Sequence, residues 1–347
     1  MKITALQTFV ACIAALLLAP PAAPPVFAAA PDLVEGVLTP SGMARLVELT
    51  CSVAAANQSQ IPAKRFIFRV TTPPSGLTYQ RARSFPVPQG VTKLHESGVG
   101  HYVEFHFPVP ASSRVTHEVK SHVLLLPVDY ARRRLSGHPR DPKLTAYLSP
   151  SKLIESDAPE IVAVAKQILA GKTTDLEKAR TAFQYPAGLI RFRPQEPAGA
   201  LKALQTRSGD CTEFAALFCA LCRAGGVPAR MTGVFNMDSK AEITSSEPNH
   251  NAAEAFIAGW GWVPVDPNLG EGKFDRTIGF ARTGNSVILL SQAGAWVWST
   301  WLPPDDFAEG ATRPAIRVEV LWKMRVLGEG PSAQMLQQFE ESSGLSK

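Results

Sequence analysis

Between Val34 and Pro127 apolar and polar residues alternate in short runs separated by Pro-rich turns. In His101–Phe107 (HYVEFHF), Val103, Phe105 and Phe107 share one face and Tyr102, Glu104 and His106 the other, because successive strand side chains point to opposite sides. Arg65–Thr71 (RFIFRVT) is a second run rich in aromatic and branched residues. The pattern predicts an antiparallel β-sandwich whose sheets each have one buried and one wet side. Beyond a charged, Pro-punctuated connector the apolar spacing becomes helical. Ile161, Val164, Ala165 and Ile168 line one face of Pro159–Ala170, with Ser156 and Asp157 available as caps and Gly171 as the stop. Thr174 and Glu177 form a Thr-x-x-Glu capping box ahead of Leu176, Ala179, Ala182 and Phe183.

A further helix starts at Cys211. Phe214, Ala215, Leu217, Phe218 and Leu221 trace its apolar face, Asp210 is the N-cap, Gly209 supplies a tight turn before it, and Gly225, Gly226 and Pro228 end it. Strand-like alternation then returns, placing His250, Ala252, Glu254 and Phe256 on one face. The Gly259–Gly261 segment is a turn signal, and a hairpin there brings Asp266 back beside His250. Ser286–Ser291 and Ala315–Val326 read as later strands that extend this sheet or cover the site; in the second, Ile316, Val318, Val320 and Trp322 alternate with Arg317, Glu319 and Lys323. The expected organisation is a signal peptide over residues 1–28, a β-sandwich over 29–130, a linker over 131–150, an α+β domain over 151–330 and a flexible tail over 331–347, in which Met335, Leu336 and Phe339 suggest one amphipathic turn.

Composition narrows the field. A chain of 347 residues with 45% hydrophobic content can build a real core. Met1 and Lys2 precede an apolar run from Phe9 to Ala19 and a small-residue exit at Val26–Ala28, the layout of a cleaved export signal. The run is shorter than the roughly 20 residues that span a bilayer, so no stable membrane span is expected after cleavage, and the periplasm or the exterior is the expected location. A formal charge of +5, part of it from Lys2, gives no support to nucleic-acid binding. The basic run Arg132–Arg134 sits among Gly and Pro as a solvated linker. Six of the seven histidines fall between His95 and His138, but His101 and His106, like His117 and His122, are an odd number of residues apart and face opposite sides of a strand, which disfavours a metal site.

Candidate chemistry therefore centres on cysteine. Cys51, Cys211, Cys219 and Cys222 follow the leader, too few for a disulfide scaffold in a chain this long. A thiol attacks as its thiolate, and the partial positive charge at a helix N-terminus favours that anion. Cys211 occupies such a position, whereas Cys219 and Cys222 lie roughly 12 and 16 Å further along the helix. Their C-x-x-C spacing sits mid-helix with no second pair to complete a zinc site, so both read as small core residues. His250 is the one histidine in the helical and C-terminal part, and Asp266 follows to orient it.

These residues resemble the transglutaminase-like superfamily: Gly209 and Cys211 opening a helix that runs into "RAGGVPAR", His250 with Glu254 on a strand, and "GWVPVDP" of Gly261–Pro267. The resemblance reaches upstream through "YLSPSKLIESDAPEIVAVAKQIL" to exported bacterial members with an N-terminal β domain. It implies a papain-like core of helices packed on an antiparallel sheet, with Cys211 as nucleophile, His250 as general base and acid, and Asp266 as orienting carboxylate. It implies a peptide or protein substrate attacked at a carboxamide or peptide carbonyl through a thioester, with hydrolysis favoured over amine cross-linking. No cofactor or metal is implied; the "GVG" of Gly98–Gly100 lacks the features of a nucleotide loop. One departure is Ala252, where the family often has Trp. The backbone N–H of Cys211 is one oxyanion donor, and Gln184, Tyr185, Gln205 and Thr206 leave the second open. Glu254 either orders the sheet through a salt bridge or meets substrate. A catalytically silent peptide-binding module is the rival reading, which burial of Cys211 or its capture in a disulfide would revive.

Overall fold

The computed structural model describes residues 38, 42–85, 93–97, 100–132, 142–270, 279–292, 299–302 and 314–342. Residues 1–28, where an export signal is expected, lie outside them, as do His138 and the last five residues. In chain order the longer elements are β1 (Met43–Asn57), β2 (Ala63–Thr72), β3 (Gln80–Ser84), β4 (Lys93–Ser97), β5 (Gly100–Val109) and β6 (Arg114–Leu125). Four helices follow: α1 (Pro159–Ile168), α2 (Asp175–Leu189), α3 (Ala200–Thr206) and α4 (Cys211–Ala224). Then come β7 (Ala229–Asn236), β8 (Glu242–Ser245), β9 (His250–Ile257), β10 (Gly261–Val265), β11 (Val287–Ser291), β12 (Ser299–Leu302), β13 (Ile316–Pro331) and α5 (Ser332–Ser342).

The expected sandwich forms. One sheet has the order β8-β13-β1-β6-β3 and the facing one β12-β2-β5-β4. Strand β1 turns Val47, Leu49, Cys51, Val53 and Ala55 inward, where they share a core with Phe66, Phe68, Val70, Val103 and Phe107 of the facing sheet. Each fully buried Val, Leu or Phe side chain among them contributes about 1.5–3 kcal/mol. In β5, Val103 and Phe107 are buried while Tyr102, Glu104 and His106 are only half-buried, as alternation requires. His106 bonds Glu104 at 2.9 Å, and on the facing sheet His122 lies 3.9 Å from Glu48, its cross-strand neighbour.

The third sheet, of order β10-β9-β7-β11, is antiparallel and covered on both faces. Helix α4 and its neighbours pack Phe214, Leu217, Phe218 and Leu221 with Ala253, Ala255, Val263 and Val265. From the other face, Phe235, Ile288 and Leu290 enter the sandwich core. Covering on both sides explains why β7 is buried along nearly its whole length and why β11 is a continuous apolar run rather than an alternating one.

Two expectations about the C-terminal part do not hold. Ser286–Ser291 does extend the α+β sheet, through β11. The strand expected to follow it there, β13, instead leaves the 151–330 region and pairs antiparallel with β1 over its length, from Met43↔Pro331 to Asn57↔Ile316. Its alternation, with every second residue from Arg317 to Glu329 exposed, explains the choice. A strand with one apolar face suits a sandwich sheet with a wet side, and buries poorly in a sheet covered on both faces. Nor is the tail loose as far as Ser342: α5 buries Leu336 and Phe339 against Ala44, Leu124 and Leu126. The end of the expected linker is also structured, since Pro142–Tyr147 forms a short 3₁₀ helix. The described residues, all between Leu38 and Ser342, accordingly belong to one compact unit.

Trp322 anchors β13, 2% exposed and with its ring 5.4 Å from that of Phe235. Trp322→Ala should lower the unfolding free energy by about 3–5 kcal/mol in urea denaturation. The same change at Leu321, on the wet face, should stay within about 0.5 kcal/mol. Equal effects at the two positions would contradict this placement of the strand.

Candidate active site

Helix α4 begins at Cys211 because the preceding residues satisfy its free amides. The Asp210 carboxylate accepts from the Thr212 N–H at 2.9 Å, and the Glu213 carboxylate accepts from the Asp210 N–H at 3.1 Å, a reciprocal capping box. The other Glu213 oxygen accepts from Ala198 N–H at 2.8 Å and Gly199 N–H at 3.3 Å, while Glu155 accepts from Ala200 and Leu201. Two carboxylates thus serve four successive amides at the start of α3 and tie it to the start of α4. Glu213 is fully buried, and burial pushes its carboxyl up. Gly209 is required by space rather than by turn geometry: a Cβ there would sit 2.3 Å from the Glu213 Cβ. The Asp-x-x-Glu spacing was readable in the sequence, where only the cap was assigned.

The three described thiols other than Cys211 are buried, and all four are free. Burial pushes Cys219 up to about 12 and raises Cys222 and Cys51 well above the ordinary thiol value, so all three are inert packing groups. Cys211 is half-buried and unbridged, so neither condition that would revive the binding-module reading is met.

The hairpin of β9 and β10 forms with the register Ala253↔Val265 to Ile257↔Gly261, and its turn uses positive φ at Gly259 and Gly261. Asp266, one residue past β10, meets His250: the imidazole Nε2 and the Asp266 Oδ2 are 2.7 Å apart. The second carboxylate oxygen accepts from Asn268 N–H at 3.2 Å, and the Asp266 N–H donates to Gly279 C=O at 2.9 Å. Cys211 acts on the same ring, and the residue next to His250, Asn251, has its backbone N–H 3.4 Å from the Cys211 Sγ. Burial opposes a charged ring here, but the bonds and charges of Asp266 and Cys211 outweigh it, and His250 is pushed up to about 10 from the ordinary 6.5. The three residues singled out from the sequence therefore come together.

Asn251 was not singled out. Its backbone N–H points at the Cys211 Sγ at 3.4 Å, and its side-chain amide donates to Thr212 Oγ1 at 3.1 Å. No pattern in the sequence marks it. Glu254, left open between two roles, orders the sheet. It is fully buried, accepts from Arg230 on β7 at 2.7 Å and accepts from the Tyr79 hydroxyl at 2.6 Å. The Arg230 guanidinium lies 3.8 Å from the Trp262 ring centroid, with Tyr147 on Trp262 at 4.9 Å between ring centroids. Burial would lower Arg230, but the Glu254 charge and bonds win and raise it. Among the described residues no group of three or more His, Cys, Asp or Glu could hold a metal ion.

Residues 162–267, which include all three site residues, match the profile of the transglutaminase-like superfamily. The chain carries a transglutaminase-like domain. The transglutaminase-like match begins inside α1 and ends just after Asp266. An uncharacterized Haemophilus influenzae protein is 36% identical over 75 residues, which is 17% of this chain and 20% of that protein's length. A crystal structure of a candidate cysteine protease from Cytophaga hutchinsonii superposes with a TM-score of 0.54 at 15% identity, covering 82% of this chain and 91% of that one, and so shares the fold. The periplasmic domain of TgpA from Pseudomonas aeruginosa reaches a TM-score of 0.34 at 15% identity over 63% of this chain and 88% of that one, too low to argue from.

The pair His250–Asp266 yields a pH prediction. The folded pKa of His250 lies above its unfolded value, so the stability it adds is full below about 6.5 and is lost as pH rises toward about 10. Asp266→Asn should lower stability by about 2 kcal/mol at pH 6. The deficit should shrink toward pH 10 in denaturant titrations; a deficit that grows with pH would contradict the assignment.

Proposed function

We propose that this chain is a cysteine hydrolase of peptide or carboxamide bonds, with Cys211 as nucleophile, His250 as general acid and base, and Asp266 as the carboxylate that orients His250. The observation that carries the reading is the 2.7 Å His250–Asp266 bond, made one residue from Asn251, whose N–H lies 3.4 Å from the Cys211 Sγ. In this reading the Cys211 thiolate attacks the substrate carbonyl carbon, forming a C–S bond and an oxyanion. The Cys211 N–H, in the first turn of α4, has no partner within its helix and is free to donate to that oxyanion. Collapse of the tetrahedral species breaks the C–N bond, and His250 gives its proton to the departing amine, leaving a thioester. His250, now neutral, takes a proton from water as the water oxygen attacks the thioester; the carboxylic acid leaves and the thiolate returns.

Water as the acceptor is favoured by Ala252, where the family often carries Trp, and by the partial exposure of the pair, 14% for the His250 side chain and 19% for Asp266. The apolar leader before Ala28 supports export to the periplasm or beyond, and no described helix is long and apolar enough to cross a membrane. A mixed-peptide digest with and without added primary amine, read by mass spectrometry, tests the reading. New carboxyl termini or deamidated glutamines that vanish in Cys211→Ala, and do not convert to amine adducts, are the expected result. Adducts in place of acids would make the chain a transferase, and no Cys211-dependent product would make it a binding module.

A further inference from the structure

We propose that the side-chain amide of Asn251 is a second donor to the Cys211 sulfur, one that holds the nucleophile as thiolate and fixes its position against His250; this rests on Cys211 being the nucleophile. Alternation along β9 turns Asn251 to the face opposite His250, toward α4. Its backbone N–H lies 3.4 Å from the Cys211 Sγ and its Nδ2 lies 3.9 Å from the same atom. That Nδ2 also donates to Thr212 Oγ1 at 3.1 Å, and Thr212 is buried. A carboxamide nitrogen carries two hydrogens. The bond to Thr212 takes one and holds the group so that the other faces sulfur.

Two consequences follow from the chemistry. Donors aimed at a titrating atom favour its charged form, and bonds to charged groups are the stronger kind. The same side chain also joins the first two residues of α4 to the strand that carries the base, so thiol and imidazole are spaced by one residue of β9. The backbone donor survives any substitution other than proline, which lets mutation isolate the side chain.

The test is iodoacetamide alkylation of the mature chain between pH 4.5 and 9, quantified at each cysteine by mass spectrometry, for wild type, Asn251→Ala, Asn251→Asp and Thr212→Val. Each variant is first checked for a wild-type melting curve. Asn251→Ala should react about tenfold more slowly at pH 6 and regain the wild-type rate at pH 9. Asn251→Asp, of equal size but presenting an acceptor and a negative charge to the sulfur, should be slower than Ala at pH 6. Thr212→Val, which frees the carboxamide without removing it, should lie between wild type and Asn251→Ala, and keeps the test alive if the Asn251 variants fail to fold. Profiles that superimpose on wild type, or an Asp variant faster than Ala, would overturn the proposal. If Cys211 of the wild type itself is not selectively alkylated, the nucleophile assignment fails first, and that result is distinct from a normal wild type with silent Asn251 variants.

Discussion

A slip of one residue between β9 and β10 would turn His250 and Asp266 to opposite faces of their sheet, and the register of that hairpin is the constraint on which the site depends. Several features hold it. Positive φ at Gly259 and Gly261 sets the loop, and burial on both faces makes any slip expose apolar side chains on one side and bury polar ones on the other. Glu254 is the most specific lock. It is paired with Arg230 on the adjacent strand and bonded to Tyr79 from the sandwich, so a shifted β9 would leave a buried carboxylate without its partners.

The sandwich is therefore structural support for the chemistry as well as a neighbour to it. Its core takes in Phe235, Ile288 and Leu290 from the α+β sheet, and the chain returns to it twice after Asp266, through β12 and β13. Residues more than a hundred positions distant in sequence also hold this sheet: Tyr79 bonds Glu254, and Gln80 bonds the backbone of Leu289 on its edge strand. The helix face holds Cys211 through the Asp210–Glu213 box. The nucleophile and its base are thus fixed by separate layers of the same unit, and Asn251 is where those layers touch.

Much of this was legible in the residues. The apolar face of α4, its Asp cap and the Gly-rich hairpin placed Cys211, His250 and Asp266 on the right elements, because capping and turn chemistry are local. Strand partnership is not local. Nothing in Ile316–Pro331 says that it pairs with Met43–Asn57, and its alternation became informative only against a sheet buried on both sides. Arg230 and Tyr79 escaped notice for the same reason, since their meaning comes from Glu254 across strands. Gly209 was noticed for the wrong reason: its need is room for Glu213, which only packing reveals.

The central claim is that His250, bonded to Asp266 and acted on by Cys211, keeps a charged ring under neutral conditions. The most direct measurement is the ¹⁵N chemical shift of the two His250 ring nitrogens across pH, in wild type and in Cys211→Ser. The expected result is a doubly protonated ring through neutrality, losing its proton near pH 10 in wild type and at clearly lower pH in Cys211→Ser. A neutral His250 ring at pH 7 in the wild type would contradict it.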